Sequence, residues 1–425
     1  MMRHSLGFYE PSRGRSGPGR YVEAILSGID PEEFDVTIFG HRDGPYRDRP
    51  GFRFVASDSS SSNNFGAGIS VQTIPHSRKI IRPRLIPQTF RLWAGMRREC
   101  LDLTRVFQEH PVTLLHTQNT GCEESPIAAR MAKIPRVIGT FHVDSSYDLS
   151  HRRGGLAHRS LEFLSNRCLH RAIAVSQATA EDWIRRTRIR KSRVVRIVNG
   201  VDERSFSRNV EIDEARRRFN LPDDRQIYVG GVGRLEPAKG FATLIEAIAL
   251  LRDEFPRLSV IIAGDGPLRP ELEEKARSLD VAGRVHFLGF QKDVRRVYET
   301  LDVFCLPSLC EAMPYALLEA MAMKLPAIGS SVGGVPEAID HGSTGFVIPP
   351  RDPRALASSL RILLADDGLR TRMGEAGRLR VIEHFHQADS VRRTIDVYRE
   401  MLLELDPRGR SGRVGGIARD ENARS

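Results

Sequence analysis

The chain has few cysteines, only two tryptophans and no long apolar run. No stretch approaches the roughly 20 apolar residues that a membrane-spanning helix needs. The opening residues, MMRHSLGFYEPSRGRSG, lack the apolar centre of a secretory signal, so a cytoplasmic protein is the expectation. Five cysteines (Cys100, Cys122, Cys168, Cys305 and Cys310) are odd in number and scattered. Only the last two are close together, and their spacing fits no common zinc motif, so reduced, buried thiols are expected. No helix-turn-helix, zinc-finger or aromatic RNA-binding signature occurs, which argues against a nucleic-acid partner. Nor does any Asp–x–Asp pair occur in the chain.

What is present is ordinary for a globular protein: 40% apolar and 28% charged residues. At 425 residues the chain is long for one core, and two domains of about 200 residues are expected. The net charge of +10, from 64 basic and 54 acidic residues, suits an anionic substrate or an anionic membrane surface. Part of the excess lies in RRTRIRKSRVVR (185–196) and in the basic tail at 406–425. A second mixed segment, RKIIRPRLIPQTFRLWAGMRREC (78–100), combines cations with Phe90, Leu92, Trp93 and Met96. That composition raises peripheral membrane contact, although Trp93, Met96 and Cys100 at helical spacing also suit a core face.

Short β-branched runs alternate with amphipathic segments almost throughout. FDVTIF, PVTLLHT, RVIGTF, RAIAVS and RVVRIV mark the first half. IYVGGVG, LSVIIAG, RVHFLG, DVFCLP, PAIGSS and GFVIPP mark the second. Strands alternating with helices predict parallel sheets covered on both faces. Two such series, joined near NGVDERSFSRN (199–209), predict an α/β protein of two doubly wound, Rossmann-like domains facing each other across a cleft. The boundaries are 1–205 and 206–386, then a C-terminal helix at 387–405 free to pack back on the first domain, then a flexible tail at 406–425. SDSSSSNNFGAG (57–68) reads as a surface loop.

Two segments carry chemistry. In GGVGRLEPAKGFATL (230–244) a strand ends, turns through glycines and opens a helix, with Arg234 and Lys239 at the helix start. Free N–H groups, the positive helix end and two cations together attract phosphate. A P-loop is excluded because Gly240, not Ser or Thr, follows Lys239. A dinucleotide fingerprint is excluded because Glu236 stands where a third glycine belongs. In SLCEAMPYALLEAM (308–321), Glu311 precedes Pro314 in a loop, and Glu319 falls in the second turn of the helix that Pro314 opens. Eight helical residues would span about 12 Å. Paired carboxylates of a retaining glycosidase stand about 5 Å apart. The two glutamates are therefore not an acid/base pair; each can accept hydroxyls from a different part of one extended ligand.

These segments resemble the retaining glycosyltransferases of family 4, whose hallmark of two glutamates separated by seven residues stands here as EAMPYALLE. GRLEPAKG, GDGP (264–267), FLGF (287–290), GGVPEAIDHGSTGFVIPPRDPRALA (333–357), LLHTQNT, GTFHVD and AVSQATAEDW…VRIVNGVD add to it. The resemblance covers about residues 1–405 and implies the two-domain GT-B fold.

The same resemblance implies roles. Arg234 and Lys239 would hold the diphosphate of a nucleotide-diphosphate sugar, Glu319 its ribose, and Glu311 the sugar hydroxyls near the anomeric centre. The Ala312–Pro314 loop would offer the N–H groups of Ala312 and Met313, Pro314 having none. Phe290 and Gln291 would meet the base. Gly17 and Gly19 would form a glycine-rich loop approaching the diphosphate from the first domain. His142, after a strand, would act in the cleft, and His116 is the weaker candidate. The family retains configuration, with the leaving phosphate taking the acceptor's proton. Basic residues on the diphosphate would replace a metal, so neither metal nor other cofactor is expected, and the missing Asp–x–Asp agrees. Ala312 and Met313 depart from the family's usual Gly–Phe, and Ala312 is expected to bring a methyl group near the donor. Donor sugar, base and acceptor stay open. The alternatives are a nucleotide-sugar epimerase of similar fold and an inactive nucleotide-sugar-binding subunit.

Overall fold

The computed structural model describes residues 3–11, 17–41, 45–47, 49–56, 88–118, 123–142, 155–208, 210–221 and 226–405; for 88–96 and 155–159 it describes the backbone alone. The loop at 57–68, Cys122, residues 78–87, the side chains of Phe90, Leu92, Trp93 and Met96, and the tail at 406–425 lie outside the described residues.

Thirteen strands among the described residues form two all-parallel sheets. The first contains β1 (His4–Glu10), β2 (Phe34–Gly40), β3 (Arg53–Ala56), β4 (Leu114–Gln118), β5 (Arg136–Phe141), β6 (Arg171–Ala174) and β7 (Val194–Arg196), in the order β3-β2-β1-β4-β5-β6-β7. The second contains β8 (Ile227–Val232), β9 (Leu258–Ala263), β10 (Val285–Gly289), β11 (Val303–Leu306), β12 (Ala327–Ser330) and β13 (Gly345–Ile348), in the order β10-β9-β8-β11-β12-β13. Edge strand β3 was not among the expected strands, because RFVA is short and only partly buried.

Helices cover both faces of each sheet, so central strands read as continuous apolar runs rather than alternating ones. LSVIIA of β9 is buried at every position for this reason. Two apolar clusters sandwich each sheet: Leu6, Phe8, Ile38 and Ile138 against Phe39, Leu115, Phe141 and Trp183 in the first domain. Phe141 and Trp183 stack with ring centroids 4.0 Å apart. In each sheet the order reverses once, between β1 and β4 and between β8 and β11. Loops diverge there, and such crevices beyond the strands' carboxyl ends take ligands in doubly wound folds.

The helix Gln387–Leu403 returns to the first domain. Val391, Ile395, Tyr398, Met401 and Leu402 join the cluster of Leu6, Phe8 and Ile25, and Arg399 pairs with Glu33 at 2.7 Å. Where this return passes the outward linker, Val201 N–H donates to Phe385 (2.9 Å) and Gln387 N–H donates to Val201 (3.1 Å). A side chain at Gly200 would lie 2.7 Å from the His386 backbone, so the two crossings touch directly.

Candidate functional site

The reversal in the second sheet assembles the two segments singled out above. After β8 the chain passes Arg234, makes a 3-10 turn at Pro237–Lys239, and enters the helix Phe241–Leu251 through Gly240. Gly240 has φ +63°, and a Cβ there would lie 2.1 Å from the Pro307 carbonyl oxygen. That contact presses the β8 loop onto the β11 loop. Leu309 N–H donates to Ala238 (2.8 Å) and fastens the two.

Lys239 Nζ consequently lies 2.6 Å from Glu311 Oε1, the oxygen that also accepts from Ser308 Oγ at 2.8 Å. Burial opposes the Lys239 charge, but the facing Glu311 carboxylate more than reverses this and holds the ammonium above its usual range. Glu311 is buried. Arg234, more than half exposed, rests on Glu236 at 2.6 Å. Both cations thus have resting partners at the sheet reversal, one of them the carboxylate assigned to the sugar.

Glu319 lies deeper, on the helix Tyr315–Ala322, which starts directly after Pro314 as expected. Its Oε2 accepts from the Tyr298 hydroxyl at 2.8 Å, and its Oε1 pairs with Arg20 from the first domain. Burial raises its pKa, and Arg20 and Tyr298 offset only part of that rise. Residues 311 and 319 do not touch the same partners, which agrees with separate tasks rather than a shared proton.

Ala312 and Met313 are buried side chains of the apolar cluster beneath the loop, not groups standing free in the cleft. Gly334 N–H donates to the Ala312 carbonyl (2.6 Å), and Asn199 Nδ2 donates to the Met313 carbonyl (2.8 Å). Phe290, 74% exposed, and Gln291 follow β10, two strands away from β8. Gln291 Nε2 donates to the Leu288 carbonyl at 2.7 Å. Along the carboxyl edge of the sheet the succession is therefore Phe290, then Arg234 and Lys239, then Glu311.

The first domain contributes His142 at the end of β5. Its Nε2 is 2.6 Å from Gln118 Oε1, and its ring meets Tyr21 edge-on at 5.1 Å. Burial pushes its pKa down to about 3, so it is neutral at pH 7. His116 is fully buried; its Nε2 meets Thr140 Oγ1 at 2.7 Å and its Nδ1 meets the Tyr398 hydroxyl. It fastens the C-terminal helix to the first sheet. Gly17 and Gly19 do not form a loop: they are the first turn of the helix Gly17–Gly28, with the Gly19 carbonyl accepting from the Tyr46 hydroxyl at 2.8 Å. The apolar spacing of Tyr21, Val22, Ile25 and Leu26 extends that helix back to the glycines.

Sequence reasoning missed Arg20 and Tyr298. Arg20 directly follows the glycines, so its place was legible, but its partner 299 residues away was not. Tyr298 carried no local signal. Among the described residues no cluster of His, Cys, Asp and Glu is arranged to hold a metal ion.

Two sheets of this topology, with the basic loop and the two glutamates at one reversal, define a GT-B architecture. Solved structures share it across nearly the whole chain. Sucrose-phosphate synthase from Thermosynechococcus elongatus superposes with a TM-score of 0.75 at 20% identity, covering 95% of this chain and 100% of that one. Anabaena HepE in complex with UDP gives 0.72 at 18% identity, covering 93% and 100%.

Residues 15–205 match the Glycosyltransferase Family 4 model, and residues 212–380 match the model for glycosyl transferases group 1. The chain belongs to this glycosyltransferase family. An uncharacterised glycosyltransferase of Methanocaldococcus jannaschii is 30% identical over 259 residues, 58% of this chain and 66% of the relative. The UDP-Gal:α-D-GlcNAc-diphosphoundecaprenol α-1,3-galactosyltransferase of Escherichia coli is 26% identical over 299 residues, 70% of this chain and 77% of the relative. Other curated relatives align over about half their length, as N-acetyl-α-D-glucosaminyl L-malate synthase of Bacillus anthracis does over 54%.

Proposed function

We propose that the protein transfers a sugar from a nucleotide-diphosphate sugar to an acceptor, with retention of configuration and without a metal. The observation that carries this reading is the convergence of Arg234, Lys239 and Glu311 at the β8/β11 reversal, with Lys239 and Glu311 2.6 Å apart. In this reading the diphosphate takes Arg234 from Glu236 and Lys239 from Glu311. Glu311 is then free to accept sugar hydroxyls, while Glu319 accepts those of the ribose and Phe290 offers a face to the base. The two cations stabilise the charge that grows on the departing diphosphate, the largest electrostatic demand of the step. The phosphate oxygen takes the acceptor's proton, and the bond to the acceptor forms on the face the phosphate leaves. His142, neutral and donating its Nε2–H to the Gln118 amide oxygen, lines the first-domain wall and keeps Nδ1 as a hydrogen-bond acceptor without carrying charge.

A thermal-shift screen of UDP-, GDP-, ADP- and TDP-sugars tests the reading, because a ligand held by both walls raises the melting temperature by mass action. A rise with one base class supports it; no rise with any at millimolar ligand overturns it. Incubation of that sugar nucleotide alone separates transfer from epimerisation, since only an epimerase converts the sugar without an acceptor.

We also propose peripheral contact with an anionic membrane through the first domain. Exposed Leu101, Phe163 and Leu164, with Arg98 and Arg167 on the same two helices, support it. Among the described residues no helix is long and apolar enough to cross a membrane. Flotation with anionic liposomes decides the matter; no binding at low salt overturns it.

A further inference from the structure

Glu337 lies outside every role assigned above, yet it touches the first domain at three points. It belongs to the short helix Val335–Ala338 that follows β12 in the second domain. Its carboxylate faces the start of the first-domain helix Gln177–Thr187: the N–H of Gln177 donates to Oε2 at 3.1 Å and that of Ala178 to Oε1 at 3.2 Å. Arg196, at the end of β7, donates to Oε2 at 3.0 Å. Ser176 caps the next free amide, that of Thr179, at 3.1 Å. A carboxylate from one domain thereby caps a helix of the other, where unpaired N–H groups and the helix dipole favour negative charge.

The turn that carries Glu337 is fixed to the loop that carries Glu311. Gly333, at φ +51°, passes so close that a Cβ would lie 1.7 Å from the Glu311 carbonyl oxygen. Gly334 N–H donates to Ala312, and a Cβ on Gly334 would meet Ser176 Cβ at 2.9 Å. From behind, Arg380 donates to the carbonyls of Glu337 (2.9 Å) and Ala338 (2.8 Å). Each contact leaves little freedom, so a shift at Glu337 reaches the Glu311 loop through two backbone-to-backbone contacts.

We infer that Glu337 is a positioning residue: capping the Gln177–Thr187 helix from the opposite domain, it sets the separation between the Glu311 loop and the first-domain wall where His142 and the acceptor would lie. This rests on the transferase reading of the cleft. The carboxylate of Glu337 meets Gln177, Ala178 and Arg196 and none of Arg234, Lys239 and Glu319, the residues assigned to the nucleotide, so losing the strut slows turnover far more than it weakens nucleotide binding.

The test compares wild type with Glu337→Ala, Glu337→Gln and Arg196→Met. Two quantities are read: the Kd of the nucleoside diphosphate by calorimetry, and turnover as its release, with water taking the sugar in place of the acceptor, from the sugar nucleotide that most raises the melting temperature. Glu337→Ala is expected to lower turnover at least tenfold with Kd within twofold of wild type. Glu337→Gln, which keeps the shape and one accepting oxygen, and Arg196→Met, which removes only the third donor, are expected to fall between. Turnover within twofold of wild type overturns the inference. So does a parallel loss of turnover and nucleotide affinity, the signature of a merely structural defect. Should wild type release no nucleoside diphosphate with water in the acceptor's place, the transferase reading is judged by the melting-temperature screen instead, and it fails if no sugar nucleotide raises the melting temperature. Small-angle scattering then decides on the strut alone: Glu337→Ala must enlarge the radius of gyration, and unchanged scattering overturns it.

Discussion

Arg20, in the first turn of the first domain's opening helix, pairs with Glu319 on the second domain's Tyr315–Ala322 helix, so the two domains meet at the carboxylate assigned to the ribose. A carboxylate has about four lone-pair positions; Arg20 and Tyr298 use two and leave room for hydroxyls. If Glu319 holds the ribose as proposed, the bridge would join that carboxylate to the opposite wall.

Breaking this bridge strands a buried carboxylate. Arg20→Ala is expected to cost about 1–2 kcal/mol, less than a fully buried pair because Arg20 stays 36% exposed. Glu319→Gln should cost less, since the amide oxygen still accepts from Tyr298. In a double-mutant cycle by chemical denaturation the two losses should fall well short of adding. Strict additivity would show that the residues do not interact.

The two cations differ in what else they support. Arg234→Ala and Lys239→Ala should each weaken nucleoside-diphosphate binding by roughly 3 kcal/mol, the loss of a charge-assisted contact. Only Lys239→Ala should also lower stability, because it leaves buried Glu311 without its cation, whereas Arg234 is largely exposed. Calorimetry and thermal melting on the same samples separate the effects. Unchanged affinity in both variants would remove the diphosphate assignment.

Turnover of the donor should survive EDTA at millimolar concentration. In the proposed mechanism the two cations at the sheet reversal would supply the charge that a divalent ion supplies elsewhere. Complete loss on chelation, restored by Mg²⁺ or Mn²⁺, would contradict the metal-free mechanism.

Acid should destabilise the first domain through two imidazoles, the fully buried His116 and the half-buried His142. Burial holds both His116 and His142 at about 3, against an ordinary 6.5. Both are neutral in the fold, while the unfolded chain takes up protons below about 6.5. Their stabilisation is therefore complete above that value and is lost as pH falls towards 3. The slope is up to about 1.4 kcal/mol per pH unit for each group. His116→Gln, which keeps hydrogen bonding but cannot titrate, should flatten the stability profile between pH 6.5 and 3 by about one proton. An unaltered slope would show that His116 already titrates normally.

The alternation of strands and helices was legible in the primary structure because it depends on neighbours in sequence. Pro314 opens a helix wherever it stands before YALLEAM, and glycines at 231 and 233 end a strand whatever lies opposite. Gly17 and Gly19 misled for the same local reason: glycines suggest a turn, but the apolar face of Tyr21, Val22 and Ile25, buried against the sheet, extended the helix over them.

Sequence by itself therefore determined the architecture and the family, and it singled out the cations and carboxylates proposed for the donor. Only the tertiary structure decided what those groups rest on. It placed Lys239 on Glu311, Arg20 on Glu319 and Glu337 on the helix Gln177–Thr187. It also turned Ala312 and Met313 into the core. The physical reason is range. Helix starts and strand ends follow from interactions over a few residues, whereas these pairs join positions 72 to 299 residues apart. Two sheets had to fold and face each other before any of them could form.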